Sequence, residues 1–385
     1  MAPPVLDDLV VARVNQCALV SGYYVGRFAV RRDSLQIPER AFVGGSSPGG
    51  TRSRRKRKRS HGPTVDQLVA SGKFVPLDDR VVMMLRGVHE SIAQDFDARE
   101  FLPVGSTGDA EAANTTKTTQ TIDLAADYEL HRNDCRHIQL AKVAAQRGSS
   151  SAFDTVLLPP RAAFASRDIR YLDLKGMGLS HKFKLIVMDP PWENKSVGRA
   201  RRYTTFDHRE LLRVDVPGLA DTDECVLGIW VTNKPVYSTF LLEHALPAWG
   251  FTYHDTWFWL KICSNGELVM PLDSTHRLPV EKLVVAYRGV DEDARKRLAA
   301  RLGSKTRVVV SIPLRHSWKP PPESLFDCSV APPSDEKLEL FARELRPGWT
   351  SIGLEVLKFQ TCELFDMTKP EESSVLETKE EETAD

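Results

Sequence analysis

From Val156 onward the chain alternates short, almost wholly apolar runs with stretches of helical spacing, and that alternation restricts the fold more than any other feature. The runs are "KLIVM" (184–188), "ECVLGIWV" (224–231), "YHDTWFWLKI" (253–262), "EKLVVAY" (281–287), "TRVVVSI" (306–312) and "KLELFA" (337–342). Between them, "PVYSTFLLEHALPAW" (235–249) and "DEDARKRLAARLG" (291–303) have helical character. A strand that is apolar on both faces has to be covered on both faces, so the pattern predicts an α/β sheet. In "YHDTWFWLKI" the period of two puts Trp257 and Trp259 on one face and Phe258 on the other, as in a buried strand. At 385 residues the chain is long enough for one large domain or two and for a sizeable core.

Ahead of this block the texture is different. Residues 1–43 read as a small N-terminal segment with a strand-like "CALVSGYYVGRFAV". A Gly/Ser/Pro-rich and basic linker follows at 44–63, with nothing to bury. Residues 64–150 read as a mainly helical region, because "VDQLVASGKF" and "RVVMMLRGVHESI" space their apolar residues helically. The main domain is expected over 151–366 and an acidic, disordered tail over 367–385. Lys+Arg and Asp+Glu balance at 52 each, so net charge says nothing of partners, but its distribution does. "RSRRKRKR" (52–59) places seven basic residues in eight, which is either a solvated segment or a nuclear address with phosphate-binding character.

No stretch approaches the roughly 18 uninterrupted apolar residues of a membrane span, and no secretory pattern opens the chain. The six cysteines lack a CxxC pair and read as reduced thiols. "HRNDCRH" offers His131, Cys135 and His137, but no second cluster completes a tetrahedron, so no metal is expected and a polar helix is the reading.

"KLIVM" stops at "DPPW", an acid, two prolines and an indole (189–192). Asp-Pro-Pro can simply end a strand, since two prolines lack backbone donors, and the Trp can be ordinary core. Chemistry offers an alternative at the carboxyl end of a sheet strand, where α/β proteins bind ligands. The exocyclic amine of adenine is a poor nucleophile, because its lone pair is spread into the ring. Acceptors aimed at its two N–H groups would orient it and favour charge developing on nitrogen. Asp189 can supply a carboxylate, Pro190 a carbonyl on a chain stiffened by Pro191, and Trp192 a flat face for stacking a base.

Asp-Pro-Pro-Trp after an apolar strand resembles the signature of the MT-A type adenine-N6 methyltransferases. The likeness extends through "DPPWENKSV" (189–197), "WVTN" (230–233), "KICSNGELVMPLDSTHR" (261–277), "HSWKPP" (316–321), "LELFAREL" (338–345) and "PGWTSIGLEVLKFQ" (347–360), with "LLPPRAAFASRDIRYLDL" (157–174) resembling the domain entry. The resemblance implies S-adenosylmethionine as cofactor, on a Rossmann-like sheet with permuted motif order. It implies that Asp168 and Ile169 read the cofactor's adenine and that Lys319 meets its carboxylate. It places Phe341, Arg343 and Glu355 around the ribose and amino-acid tail, with Asp189 also beside the cofactor. Two positions depart from the family pattern. Leu354 stands where the family usually has Asn, and Trp318 where it commonly has His, and both bear on cofactor affinity.

Beyond the turn, Asn194, Lys195, Arg199, Arg201, Arg202 and Tyr203 border the expected target-base pocket, where phosphates must pass. The target adenine must be single-stranded or flipped, since its amine is engaged inside a duplex. The resemblance therefore implies a nucleic-acid partner; no membrane, action as a monomer and a place in the nucleus, with the cytoplasm as the alternative, are the expectations that go with it. The substrate it suggests is internal 2′-O-methyladenosine of U2 small nuclear RNA, with adenine in DNA beside it. A catalytically silent RNA-binding partner is the alternative. Deleting residues 50–60 is expected to leave the catalytic domain folded and to abolish nuclear enrichment of a tagged protein. Persistent nuclear enrichment on imaging would rule the address out.

Overall fold

The computed structural model describes residues 8–24, 27–41, 76–102, 111–112, 120–124, 130–144, 153–172, 177, 179, 182–192, 207–274, 277–327, 330–332 and 336–367. The linker with its basic run, "VDQLVASGKF", the substrate candidates from Asn194 to Tyr203 and the acidic tail from 368 lie outside the described residues.

In chain order the first strands are β1 (Leu9–Val14), β2 (Phe28–Val30), β3 (Glu111–Ala112), β4 (Gln120–Ile122), β5 (His131–Arg132), β6 (Gln139–Ala144) and β7 (Phe153–Leu158). The later ones are β8 (Ala163–Ala165), β9 (Leu185–Met188), β10 (Glu224–Val231), β11 (Thr252–Lys261), β12 (Val280–Gly289), β13 (Thr306–Ser311), β14 (Lys337–Leu340), β15 (Thr350–Ile352) and β16 (Phe365–Met367). Ten of them form one mixed sheet in the order β1-β13-β11-β12-β10-β9-β14-β15-β8-β5, flanked by two three-stranded sheets, β2-β16-β3 and β4-β6-β7. The expected α/β sheet is present, and every apolar run from "KLIVM" to "KLELFA" supplies one of its strands.

The strand order places the site. From β9 the chain moves to β10 on one side, while β14 returns to the other side of β9, both parallel to it. The carboxyl ends of β9 and β14 thus flank a point where the direction of winding reverses, which leaves a crevice there in open α/β sheets. All four residues of β9 are buried. Their apolar side chains divide between two clusters on opposite faces of the sheet, Ile186 and Met188 on one, Leu185 and Val187 on the other.

Helices cover these faces for local reasons. Glu292–Leu302 starts at Asp291, whose carboxylate accepts from the Ala294 N–H at 2.7 Å, and stops at Gly303 with φ 79°. It buries Ala294, Leu298 and Leu302. The other expected helix is a composite of Pro235–Phe240, a π turn at Leu241–Ala245 and Leu246–Trp249. The wide turn leads into Pro247, which has no N–H to give the preceding turn.

The N-terminal half departs from expectation. "CALVSG" is helical (Gln16–Gly22), because Asn15 caps it by accepting from the Ala18 N–H at 2.9 Å. β1 ahead of it pairs in parallel with β13, so the first residues are part of the main sheet. Within 64–150 the helix Asp79–Gln94 is present, but β4, β5 and β6 are strands. "HRNDCRH" opens in β5, with His131 against the Phe164 ring at 5.3 Å, and holds no helix. Among the described residues no His/Cys/Asp/Glu group could hold a metal, and no helix is long and apolar enough to cross a membrane.

Behind β14 lies a buried ionic triad. Arg346 donates to Glu339 and, at 2.9 Å, to Glu344, and Arg346 and Glu344 are each 2% exposed. Burial, only partly offset by Arg346, pushes the Glu344 carboxyl up from an ordinary 4.5 to about 7. The folded chain therefore binds this proton more tightly than the unfolded one. The stability it contributes is full below about 4.5 and is lost as the pH rises through about 7. Thermal melts should show a loss of stability between pH 5 and pH 8 that is smaller in Glu344→Gln than in the wild-type chain. Equal pH slopes would contradict this assignment.

Candidate active site

Asp189 leaves the end of β9 at 9% exposure, its N–H directed at the Leu340 carbonyl of β14 at 3.4 Å. The two prolines then deny the chain any further ladder donor. The Trp192 N–H turns back to the Pro190 carbonyl at 2.8 Å, closing a three-residue turn. That carbonyl keeps its second lone pair for another donor.

Trp192 is not the open plate that its position suggests. It is 7% exposed, its indole N–H donates to the Trp230 carbonyl of β10 at 2.7 Å, and its ring stacks on Tyr237 at 4.8 Å. Lys234 lies over the other partner of that stack, 5.5 Å from the Tyr237 ring. The indole pins the turn to β10 and to the helix Pro235–Phe240. Its burial comes from residues distant in sequence.

The Asp189 carboxylate sits between two cations. Lys319 Nζ lies 3.0 Å from both its oxygens, and Arg343 Nη1 lies 2.5 Å from Oδ2. Their side chains are 12, 13 and 14% exposed. Lys319 also reaches Glu281 Oε2 at 3.1 Å, and Glu281 pairs with Lys261. On the far side Arg343 Nε reaches Glu355 Oε2 at 3.3 Å, and Lys358 Nζ reaches Glu355 Oε1 at 3.1 Å. The result is one chain of charges: Lys358, Glu355, Arg343, Asp189, Lys319, Glu281, Lys261. Four cations against three carboxylates leave it one positive charge in excess, which suits an anion. Burial alone would push the Glu281 carboxyl up, but Lys261 and Lys319 hold it well below the usual range. Burial disfavours the charge on Lys319, yet Asp189 and Glu281 more than restore it, so its ammonium stays protonated.

Each cation is held in place by its neighbours. Trp318, beside Lys319, is 1% exposed and stacks flat on Phe359 at 4.4 Å. It anchors the loop instead of lining a cofactor pocket. Ser317 before it has φ 68°. Phe341, leaving β14, has φ 59°, a backbone state costing a non-glycine residue about 1–3 kcal/mol. It turns the chain so that Arg343 faces Asp189. Gly353, leaving β15, permits that turn: a Cβ there would meet the Ala342 carbonyl oxygen at 2.6 Å and the Ala342 nitrogen at 2.7 Å.

Asp168, after β8, caps the short turn Ile169–Tyr171. Its carboxylate is shared with Arg170, whose Nη2 lies at 2.6 Å, and Arg170 holds it below the usual range. Ile169 is 3% exposed and packs into the apolar cluster that also holds Ile186 and Met188 of β9. Leu354 is 58% exposed, and its side chain points to solvent. Asp168, Ile169, Asp189, Phe341, Arg343 and Glu355 thus all follow the carboxyl ends of adjacent parallel strands, and Lys319 reaches in from the loop after β13. Sequence reasoning missed Glu281, Lys261 and Lys358. A lone acid opening the apolar run "EKLVVAY" was the one visible sign.

Comparison with known proteins decides the relationship. The MT-A70 family model matches residues 183–355, from the residue two before β9 to Glu355. This chain carries an MT-A70 domain. The chain is 40% identical over 213 residues to the N(6)-adenine-specific methyltransferase METTL4 of Mus musculus, covering 54% of this chain and 45% of that protein. It is 40% identical over 187 residues to the N6-methyladenosine RNA methyltransferase MTA1 of Pyricularia oryzae, covering 46% and 48%. It is 31% identical over 210 residues to the DNA N6-methyl methyltransferase of Caenorhabditis elegans, covering 54% and 55%. The chain spans about half the length of these relatives. Of the cofactor candidates, Asp168 and Ile169 precede the matched MT-A70 segment and the others lie within it.

Within the MT-A70 domain the ion pairs around Asp189 also bear on stability. Asp189→Ala leaves the buried chain of charges with four cations against two carboxylates, and breaking a buried pair typically costs about 3–5 kcal/mol. Urea unfolding should show a loss of that order for Asp189→Ala. A variant as stable as the wild-type chain would mean that water already screens the pair.

Proposed function

We propose that the chain is an S-adenosylmethionine-dependent methyltransferase acting on the exocyclic amine of adenine in nucleic acid. The observation that carries this is Asp189 at the winding reversal, with the rigid Pro190 carbonyl one residue further on and two buried cations beside it. MT-A70 methyltransferases use S-adenosylmethionine as methyl donor, and the donor set here fits it. Lys319 and Arg343 would hold the carboxylate of its amino-acid tail. The chain segments after β8 and β15, with Asp168, Ile169 and Glu355, would hold its nucleoside end. When bound, it supplies a methyl carbon on a sulfonium leaving group.

The chain's own residues supply orientation. Asp189 accepts one N–H of the target amine and the Pro190 carbonyl accepts the other, so the nitrogen lone pair is turned away from them and towards the methyl carbon. As the new bond forms, charge grows on nitrogen, and the Asp189 carboxylate stabilises it and is placed to take the proton that leaves. Such a preorganised group is typically worth about 10²–10³ in rate. No side chain needs to form a covalent intermediate. On this reading the catalytic turn at 189–192 precedes Lys319, Arg343 and Glu355 in sequence, as a permuted order of motifs would require.

The finer reading is that the nucleic acid is RNA in the nucleus, with internal 2′-O-methyladenosine of U2 small nuclear RNA as the target and adenine in DNA as a second one. It is supported by the motif likeness and by the basic run at 52–59. A catalytically silent binding partner is the second reading, favoured by one observation: both Asp189 oxygens are already occupied by cations. Incubation of the pure chain with methyl-labelled S-adenosylmethionine and a panel of structured RNA, single-stranded RNA and DNA separates the two. Labelled N6-methyladenine, identified by mass spectrometry and absent with Asp189→Asn, is the expected result. Binding of RNA without transfer to any member of the panel would establish the silent partner.

A further inference from the structure

Asp189 is the acceptor on which the proposed function depends, and in this structure it is masked. Lys319 Nζ straddles both carboxylate oxygens at 3.0 Å, and Arg343 Nη1 takes Oδ2 at 2.5 Å. A carboxylate paired with two cations has little charge left to attract a neutral N–H, and three of its roughly four in-plane lone-pair sites are taken. Each of the two cations, however, already touches a second carboxylate on its outer side. Lys319 has Glu281 at 3.1 Å, and Arg343 has Glu355 at 3.3 Å. Each outer carboxylate is backed by a lysine in turn, Lys261 for Glu281 and Lys358 for Glu355. A lysine drawn off Asp189 is therefore not stranded. The Trp230 ring, 5.7 Å from Lys319 Nζ, gives it a further favourable surface.

Stability alone does not explain such a chain, because apolar side chains of similar volume commonly serve a core as well or better. What the alternation provides is exchange: an incoming anion can take a cation from Asp189 at little cost. Of the two substrates of methyl transfer, the methyl donor is the one that carries a carboxylate, and its ammonium and sulfonium charges compensate the Asp189 it unmasks.

We propose, resting on the methyltransferase reading, that Glu281 is the positioning residue that lets Lys319 leave Asp189 for the donor's carboxylate, so that the adenine acceptor is bound after the methyl donor. Glu281 touches neither substrate and acts through Lys319.

Fluorescence anisotropy on the full chain tests this with a labelled single-stranded oligonucleotide containing one adenine. It is titrated alone, with S-adenosylhomocysteine, and with 5′-methylthioadenosine, which keeps the nucleoside and thioether but lacks the carboxylate. S-adenosylhomocysteine should tighten oligonucleotide binding about tenfold, the worth of one good hydrogen bond, and 5′-methylthioadenosine should not. An oligonucleotide with unsubstituted purine in place of adenine should show no gain. By linkage, calorimetry should find S-adenosylhomocysteine bound more tightly by the same factor when the adenine oligonucleotide is present. Glu281→Gln should shrink the enhancement, and Glu281→Asp should restore part of it, an effect that a merely structural role would not follow. If S-adenosylhomocysteine binds but changes nothing, or if both ligands enhance equally, the proposal is overturned and the methyltransferase reading stands. If S-adenosylhomocysteine does not bind at all, both fall.

Discussion

A carboxylate at the buried end of a parallel strand must find partners, and Asp189 finds two cations from different loops. Lys319 comes from beyond β13 and Arg343 from beyond β14, so one ion-pair cluster ties together the ends of strands that are far apart in sequence. Much of the surrounding structure serves that meeting. The left-handed backbone at Phe341 and Ser317 aims the two cations, Gly353 clears the way for one, and Trp318 stacked on Phe359 fixes the other. The prolines and Trp192 hold the carboxylate itself in register with β10 and β14.

The second ionic centre, around Arg346, reinforces the same loop from behind. Glu339 is in β14, in register with Val187 of β9, while Glu344 and Arg346 follow Arg343 by one and three residues. The segment from Phe341 to Arg346 is thus held by charges on both sides, Asp189 and Glu355 in front and Glu339 behind. Tyr23 and Trp349 both donate to Glu323 at 3.0 Å, which brings the N-terminal helix into contact with the same region.

The strands of the sheet were legible because burial on both faces leaves a mark in each one alone. The composite helix and Glu292–Leu302 were legible for the same reason, by their spacing. Other features depend on residues that meet only after folding. "CALVSGYYVGRFAV" has the β-branched and aromatic look of a strand, and the single Asn15 cap, which decides its first half as helix, is a quiet signal. Trp192 looked like an open plate because Tyr237, which covers it, lies on another element. The candidates Asp168, Ile169, Lys319, Phe341, Arg343 and Glu355 were placed by likeness to a family, and the structure gathers them at adjacent strand ends. The charge chain through Glu281 was not legible, because its members come from several different elements.

The pairing of β1 with β13 has a practical consequence for anyone cutting the chain. Leu9 lies opposite Thr306 and Val14 opposite Ser311, so the outermost strand at this edge of the sheet is supplied by residues 9–14 and covers β13. A fragment starting at residue 151 would contain the whole MT-A70 match and still expose the backbone of "TRVVVS" along its full length. An open, valine-rich edge is a template for another copy of itself, so aggregation of such a fragment would report a missing strand and not a faulty core. The same pairing spans nearly three hundred residues of sequence. Contacts so distant close late in folding, and they leave that edge bare in every intermediate that precedes them.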